Sequence, residues 1–210
     1  MENTVIIGYS GHAFVVIDIL KKYQNIIGYC DSTKKQLNPF HLTYLGKETD
    51  VSAISILEQA NFFVSIGDNS IRANVLNNMT TVLNKPALNV IHDSAVCSTY
   101  AEFHPQGGIL VAANAIINPL SKIGRGTICN IASSIDHECI LGDYVHIAQG
   151  TVLSGNVHVG NHTFIGPNSV VKSNIQIGHN VIIQAGSIVT TNILDNSIYP
   201  IHSNKTISAS

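Results

Sequence analysis

Residues 133–160 read Ser-Ser-Ile-Asp-His-Glu-Cys-Ile-Leu-Gly-Asp-Tyr-Val-His-Ile-Ala-Gln-Gly-Thr-Val-Leu-Ser-Gly-Asn-Val-His-Val-Gly, and an aliphatic residue falls at every sixth position: Ile135, Leu141, Ile147, Leu153, Val159. The same register runs unbroken from Val111 to Val189. Two residues before each aliphatic sits a mostly small or β-branched one, such as Ser133, Cys139, Val145, Thr151 and Val157. In a strand, positions i−2 and i then point inward and i−1 points outward. Gly124, Gly142, Gly160 and Gly178 recur at intervals of 18, which is three hexads. Each coil therefore carries three short strands and three turns, and the whole is a triangular prism of stacked coils about 4.8 Å apart, a parallel β-helix. A sandwich of hairpins would need turns at irregular intervals and does not explain one unbroken period.

Outside this stretch the chain alternates apolar runs and amphipathic segments. Residues 3–7 predict a buried strand, Gly8-Tyr9-Ser10-Gly11-His12 a tight turn, and Ala13–Tyr23 a helix with Phe14, Val16, Ile17 and Leu20 on its apolar face. A second strand is expected at Ile26–Asp31, a helix near Asp50–Ala60, a strand at Phe62–Ile66, a turn at Gly67-Asp68-Asn69, and a helix through Arg72 and Leu83. This order argues a small parallel α/β domain over residues 1–90, followed by the β-helix domain over 91–210. The repeat starts cleanly only after Gly107-Gly108, so the first coil is expected to carry a bulge or loop. The pattern fails at Asp195, and Ile198–His202 is expected to cap the open end of the prism.

With 210 residues, 45% hydrophobic and 11% charged, and a net charge of −2, nothing suggests a nucleic-acid partner or a disordered acidic tail. The apolar runs are far shorter than the roughly 18 residues that read as a membrane span, and Met1 leads almost directly into a strand, leaving no room for a signal peptide. Cys30, Cys97, Cys129 and Cys139 lack CxxC spacing, and the last two fall on inward slots, so buried thiols in a cytoplasmic protein are expected.

The period also locates chemistry. His137 falls at i+2, a corner of the prism, with Glu138 beside it; a carboxylate that fixes the tautomer suits a general base, and an exposed salt-bridged turn is the plainer alternative. Eighteen residues on, directly above His137, comes Gly155, which leaves a backbone N–H open as an oxyanion donor or simply meets the corner's need for glycine. His146 and His158 fall at i−1, outward on flat faces. His146 is nine residues from His137, half a coil, so the two meet only across an interface, as in a trimer that docks the corner of one prism on the face of the next. In the first domain, ligands are expected at the carboxyl ends of the strands: Gly8–His12, where backbone N–H groups favour phosphate, Asp31, which would accept from ribose hydroxyls, and Gly67–Asn69.

These residues together resemble those of bacterial hexapeptide acyltransferases that modify sugars: the nucleotide-linked 4-amino-sugar N-acetyltransferases of the bacillosamine and perosamine type and their sialic acid O-acetyltransferase relatives. The resemblance rests on Gly8-Tyr9-Ser10-Gly11-His12, Ile66-Gly67-Asp68-Asn69 with Ile71-Arg72, Asn130, Ser133-Ser134, Asp136-His137-Glu138-Cys139, His146 and Gly155-Asn156-Val157. It implies a Rossmann-like N-terminal domain, a left-handed β-helix, and a homotrimer with acetyl-CoA between subunits. It implies His137 as base with Glu138 as partner, Gly155 N–H on the oxyanion, and His146 near the thioester. Gly8, Ser10, Gly11, His12, Asp31, Gly67 and Asn69 would hold the nucleotide-sugar. Tyr199-Pro200-Ile201-His202 departs from the tail such proteins use to cover coenzyme A. Three readings follow: N-acetylation of an amino-sugar, O-acetylation of sialic acid or a related sugar, and a metal-dependent hydratase using His137, His146 and His158. The last leaves Glu138 and Gly155 unused, and a non-catalytic scaffold is the remaining case.

Overall fold

The computed structural model describes residues 1–200. The N-terminal part is a three-stranded parallel sheet in the order β2-β1-β3, formed by β1 (Glu2–Ile7), β2 (Gln24–Cys30) and β3 (Asn61–Val64). Its helices are α1 (Gly11–Leu20), α2 (Val51–Glu58) and α3 (Asn69–Leu83). Every expected element is present, with shifts of a few residues at the ends. The helix expected to reach Tyr23 ends at Leu20, because the chain must turn at Lys21–Tyr23 to enter β2.

The remainder is a prism of two-residue strands in three parallel sheets of seven, six and five strands. The first face carries Leu110–Val111, Ile128–Cys129, His146–Ile147 and Phe164–Ile165; the second Ile116–Ile117, Ser134–Ile135, Val152–Leu153 and Val170–Val171; the third Lys122–Ile123, Ile140–Leu141 and His158–Val159. Inward residues form one core from Ile109 to Ile193, with Val111, Ile135, Leu153, Ile165 and Val189 all solvent-free. Cys129 and Cys139 lie in it as expected, and all four cysteines are free thiols. Side-chain rungs reinforce the stack: the Thr127, Thr151 and Thr163 hydroxyls each donate to the carbonyl of a glycine one coil away.

The corners explain how so tight a bend recurs. Residues 114, 120, 132, 138, 144, 156, 162, 168, 174 and 180 all have φ between 54° and 65°, the left-handed region, and Gly126, Gly150 and Gly186 fill the same slot. Asparagine tolerates that conformation and occupies it at five of these positions.

The two ends of the prism depart from the 18-residue rule in opposite directions. Val90 pairs with Leu110 and Glu102 with Lys122, so the first coil is two residues longer than the others. The excess sits at the corner holding Gly107 and Gly108, where the backbone also turns left-handed. The first coil thus starts at Val90, upstream of where the repeat becomes legible. At the far end Ile198 pairs with Ile182 and Ile193 bridges Ile177, so the last coil is two residues shorter. Ile198–Tyr199 is therefore a strand of the prism rather than a lid over it, because the shortening near Asp195 restores the register. Ile201 and His202 lie outside the described residues.

The two parts share a packed seam. Residues Ala13, Val16, Ile17 and Leu20 of α1 join Val90, Leu110 and Ile128 on the lower half of the first face, while Leu76 and Met79 of α3 pack with Tyr144. Burying these side chains, at about 25 cal/mol per Å² of apolar surface, fixes the N-terminal sheet against one face and leaves the second face bare.

Candidate functional site

At the corner between the second and third faces, His137 Nδ1 lies 2.9 Å from Glu138 Oε2. An ionised Glu138 can only accept in this pair, which makes Nδ1 the donor and leaves Nε2 as the ring nitrogen not engaged by the carboxylate. Both side chains are just over half exposed, so the ring is open to solvent. Asp136 sets the corner: its Oδ1 accepts from the His137 N–H at 2.8 Å and from Asn118 Nδ2, one coil below, at 2.9 Å. Those bonds, the His137 N–H first, hold the Asp136 carboxyl below its ordinary range. Glu138 occupies the left-handed slot with φ of 61°, where most other coils place asparagine or glycine. A non-glycine residue held there costs on the order of 1–2 kcal/mol, so this carboxylate is kept at a corner that backbone preference alone would fill differently.

Gly155 stands over the ring. A Cβ built on it would fall 2.5 Å from His137 Cε1 and 2.6 Å from Nε2, and Asn156 N–H donates to the His137 carbonyl, so the two coils stack as the 18-residue spacing requires. Gly155 has no positive φ to demand glycine; what demands it is the imidazole beneath. Its carbonyl accepts from Asn174, while its N–H finds no acceptor among the described residues. An imidazole and an unpartnered backbone donor thus stand one coil apart at the same corner, the two groups that taking a proton and stabilising an oxyanion would call for.

His146 is on the first face, away from this corner, and the single chain does not bring it to His137. It points outward from the prism, as its register requires, yet it is not on an open face. The N-terminal part roofs it: its ring lies 6.4 Å from that of His12 on α1 and 5.2 Å from that of Phe164, edge to face. Asn130 Nδ2 is 3.3 Å from its Nε2. Burial, then the charge of Arg72, depresses His146 to about 3 and His12 to about 4, so both rings are neutral at physiological pH. Above His146 a cavity of about 570 Å³ opens between Gly67–Ser70 and the His162, Phe164 and Ile182 side chains.

The strand ends of the N-terminal sheet form a second, smaller cavity of about 270 Å³, lined among others by Gly8, Ser10, Asp31, Lys47, Glu48 and Gly67. Gly8 (φ 86°) is in a conformation that excludes other residues, and a side chain there would strike Ile66. Asp31 is more committed than expected: Oδ2 accepts the Tyr9 N–H at 2.9 Å, and Oδ1 binds Lys35 Nζ at 2.8 Å and the Ser32 hydroxyl. It staples the turn as well as lining the cavity. The Ser10 side chain makes no capping bond to α1, and Gly11 has open space around its Cα, so the first turn of α1 is accessible. His12 does not line this cavity; it faces the seam, and its Nε2 is buried with no partner among the described residues. Asn69 also turns to the seam, donating through Nδ2 to the His162 and Thr163 carbonyls and accepting from Arg72 through Oδ1. The corner that holds His137, the face that holds His146 and the third-face strand that holds His158 are distinct, so no two of these histidines converge within the chain.

Two features were not assigned a role from sequence. Asn130, buried and bonded to the Ile131 N–H and toward His146, falls at the residue after an inward aliphatic, a slot with no special signature. Arg72 looked like any charged residue of an amphipathic helix, yet it is 1% exposed.

Residues 3–79 match the family described as PglD N-terminal domain, and residues 156–191 match bacterial transferase hexapeptide (six repeats). Among solved structures, the chain is similar to the acetyltransferase domain of PglB from Neisseria gonorrhoeae in complex with acetyl coenzyme A, at 27% identity over 94% of this chain and 95% of that one, with a TM-score of 0.86. It is similar to PerB from Caulobacter crescentus in complex with CoA and GDP-perosamine, at 29% identity over 94% and 93%, with a TM-score of 0.84. WeeI from Acinetobacter baumannii shares the fold at 20% identity over 94% and 96%, with a TM-score of 0.81. These matches bear out both the resemblance to hexapeptide-repeat sugar acetyltransferases and the two-part fold drawn from the sequence.

Proposed function

We propose that this chain transfers the acetyl group of acetyl-CoA to the amine of a nucleotide-linked 4-amino-sugar. The observation that carries the reading is the His137–Glu138 pair beneath the free N–H of Gly155. The sugar nitrogen attacks the thioester carbonyl, His137 Nε2 takes the proton the nitrogen sheds, and Gly155 N–H holds the negative oxygen of the tetrahedral intermediate. Collapse expels the coenzyme A thiolate, which recovers the proton from the imidazolium. The base contributes about 10²–10⁴-fold and one oxyanion donor about 10²–10³-fold. Cys139 takes no covalent part, because it is buried in the core and burial raises its thiol pKa. Similarity to proteins solved with acetyl-CoA and with GDP-perosamine supports this choice of donor and acceptor over a hydroxyl acceptor. The small cavity at Gly8, Ser10, Asp31 and Gly67 is the site we assign to the nucleotide, with the open first turn of α1 at Gly11 toward its phosphates.

The working unit in this reading is a homotrimer. Its support is the second face, whose outward row Val96, Ile116, Val152, Val170 and Ile188 is an exposed apolar stripe, and the separation of His137 from His146 within one chain. A neighbouring copy would cover the stripe and set its own His137 corner against the His146 face. No helix among the described residues is long and apolar enough to cross a membrane, and with four free thiols we place the reaction in the cytoplasm, where acetyl-CoA is made available.

The test is turnover of acetyl-CoA with a panel of UDP-, GDP- and dTDP-linked 4-amino-sugars, following thiol release and identifying the product by mass. An N-acetylated product from one of them is the expected result. Acetylation of a sialic acid hydroxyl with no activity on any amine would overturn the choice of acceptor. Absence of coenzyme A binding would overturn the reading altogether.

A further inference from the structure

At the seam between the two parts lies a charged side chain that the chemistry above does not use. Arg72 on α3 is 1% exposed, and every donor on its guanidinium is spent. Nε donates to the Gly126 carbonyl at 2.7 Å; Nη1 donates to those of Ile66 at 3.1 Å and Gly67 at 2.9 Å. Nη2 donates to Asn69 Oδ1 at 2.8 Å and to the Tyr144 and Val145 carbonyls at 3.1 and 3.5 Å. None of the described residues forms an ion pair with it. A buried cation held by carbonyls alone costs several kcal/mol in desolvation, which a structure that needed only adhesion would avoid by packing apolar side chains.

Its partners show what it joins. Ile66 and Gly67 form a wall of the cavity assigned to the nucleotide-sugar, and Gly67 and Asn69 also line the cavity above His146. Tyr144 and Val145 are the two residues that lead into His146. We propose that Arg72 is a positioning residue for the reaction: its planar fork locks the acceptor-binding turn Ile66–Asn69 to the coil that presents His146, and its unpaired charge sets the electrostatic potential on the His12–His146 pair. This rests on the functional reading given above. A lysine has one ammonium in place of the fork and cannot reach both sets of carbonyls together.

The electrostatic half has the same geometry. The titratable and charged groups around His146 are Arg72 on α3 and Asp68 at its N-cap, His12 on α1, Tyr144 two residues earlier in the same coil and His162 on the next coil, and the ring also bonds the Gly67 backbone. Asp68 is turned to cap α3 through the Ile71 N–H and forms no ion pair with Arg72; its charge offsets that of the guanidinium only from a distance, and Arg72 is the positive charge that both rings feel. Desolvation is the larger influence on both imidazoles, and the positive charge adds to it in the same direction. Neutral rings at the seam keep an acceptor for the hydrogen bonds of an incoming sugar, where imidazolium rings would repel an ammonium.

The test uses the full chain with Arg72→Lys and Arg72→Met. Initial rates with acetyl-CoA and the acceptor found above are combined with histidine-ring NMR titration, which needs no turnover. In Arg72→Lys, kcat/KM for the acceptor is expected to fall about 10²-fold while KM for acetyl-CoA holds, since a displacement on the order of 1 Å is worth that much. Its His12 and His146 rings stay neutral as in the unaltered protein. In Arg72→Met the rate falls at least as far, and the two rings titrate at higher pH. Wild-type kinetics in Arg72→Lys would overturn the positioning role, and unmoved ring titrations in Arg72→Met would overturn the electrostatic one. If Arg72→Met does not fold, His12 and His146 are titrated in the Lys variant, where retention of their neutral state is the required result. An unaltered protein that turns over no amino-sugar refutes the functional reading instead and leaves the NMR comparison standing.

Discussion

Gly155→Ala is the sharpest perturbation of the proposed site. The new methyl would lie 2.5 Å from His137 Cε1, 2.6 Å from Nε2 and 3.2 Å from Nδ1. Carbon atoms rest at about 3.5–4.0 Å, so the imidazole must retreat by about 1 Å. It has room to do so, because the ring is half exposed and only the corner above confines it. Gly155 has no left-handed φ, so alanine brings no backbone strain, and the melting temperature should stay close to that of the unaltered protein. The retreat must either stretch the 2.9 Å bond to Glu138 or carry Nε2 away from the Gly155 N–H. Misplacing a base by about 1 Å costs about 10²-fold in kcat, or about 2.7 kcal/mol of barrier. Initial rates of thiol release at saturating acceptor, alongside a thermal melt, measure both quantities. A kcat within about threefold of wild type would show that the ring over which Gly155 stands does not do the chemistry. A double variant sharpens the result: with His137→Ala already present there is no ring to displace, so adding Gly155→Ala should cost far less than it does alone.

His137→Ala should lower kcat by about 10²–10⁴-fold with little change in KM for acetyl-CoA, and product formation near the wild-type rate would refute its role as base. Stability should depend on pH through the seam. His12 and His146 are depressed to about 4 and about 3 by burial first and Arg72 second, against 6.5 when unfolded, so the unfolded chain takes up more protons as pH falls. Stability conferred by keeping these rings neutral is full above pH 6.5 and is lost as pH drops from there toward 4; melting temperature should fall across that window and fall less in His146→Gln, and a flat profile would refute it. If the proposed trimer is the working unit, Val170→Arg, on the exposed apolar row, should give monomers in sedimentation and abolish turnover while leaving the fold intact by circular dichroism, and unchanged sedimentation would refute that interface. Ile165→Ala, at a fully buried inward slot, should cost about 2–5 kcal/mol in denaturant unfolding.

The β-helix made part of the site legible because it turns distance along the chain into position in space. Once the coil length is 18, the neighbour above His137 is Gly155 whatever else the chain does, and Cys139 is buried by the same count. Where the count changes, legibility ends. The twenty-residue first coil blurred the repeat before Gly107, although the domain boundary at 91 fell within one residue of the first strand, and the sixteen-residue last coil made Ile198–Tyr199 look like a tail. The seam has no period at all. Arg72 reaches Gly126 and Tyr144, and Asn69 reaches His162, across separations set by how α1 and α3 dock on the first face. No spacing in the sequence encodes that docking, so the burial of His12 and His146 at the seam and the bonds of Asn69 to the prism were not legible.

The corner slots carry a signal that separates fold from function within the repeat itself. Asparagine at 114, 156, 168, 174 and 180 stands at multiples of six from one another, each in the left-handed region where it is tolerated. That series explains itself by backbone preference and needs no ligand. Leu120, Ala132, Glu138, Tyr144 and His162 interrupt it. Glu138 orients His137, Tyr144 stacks on His162 at 5.2 Å and bonds Asn77 of α3, and His162 lends its carbonyl to Asn69. Of these five exceptions, Glu138 lies at the proposed base and Tyr144 and His162 lie at the seam. At Glu138, Tyr144 and His162 the chain accepts backbone strain for a contact made elsewhere, and those contacts lie at the two places where the chemistry is proposed to meet.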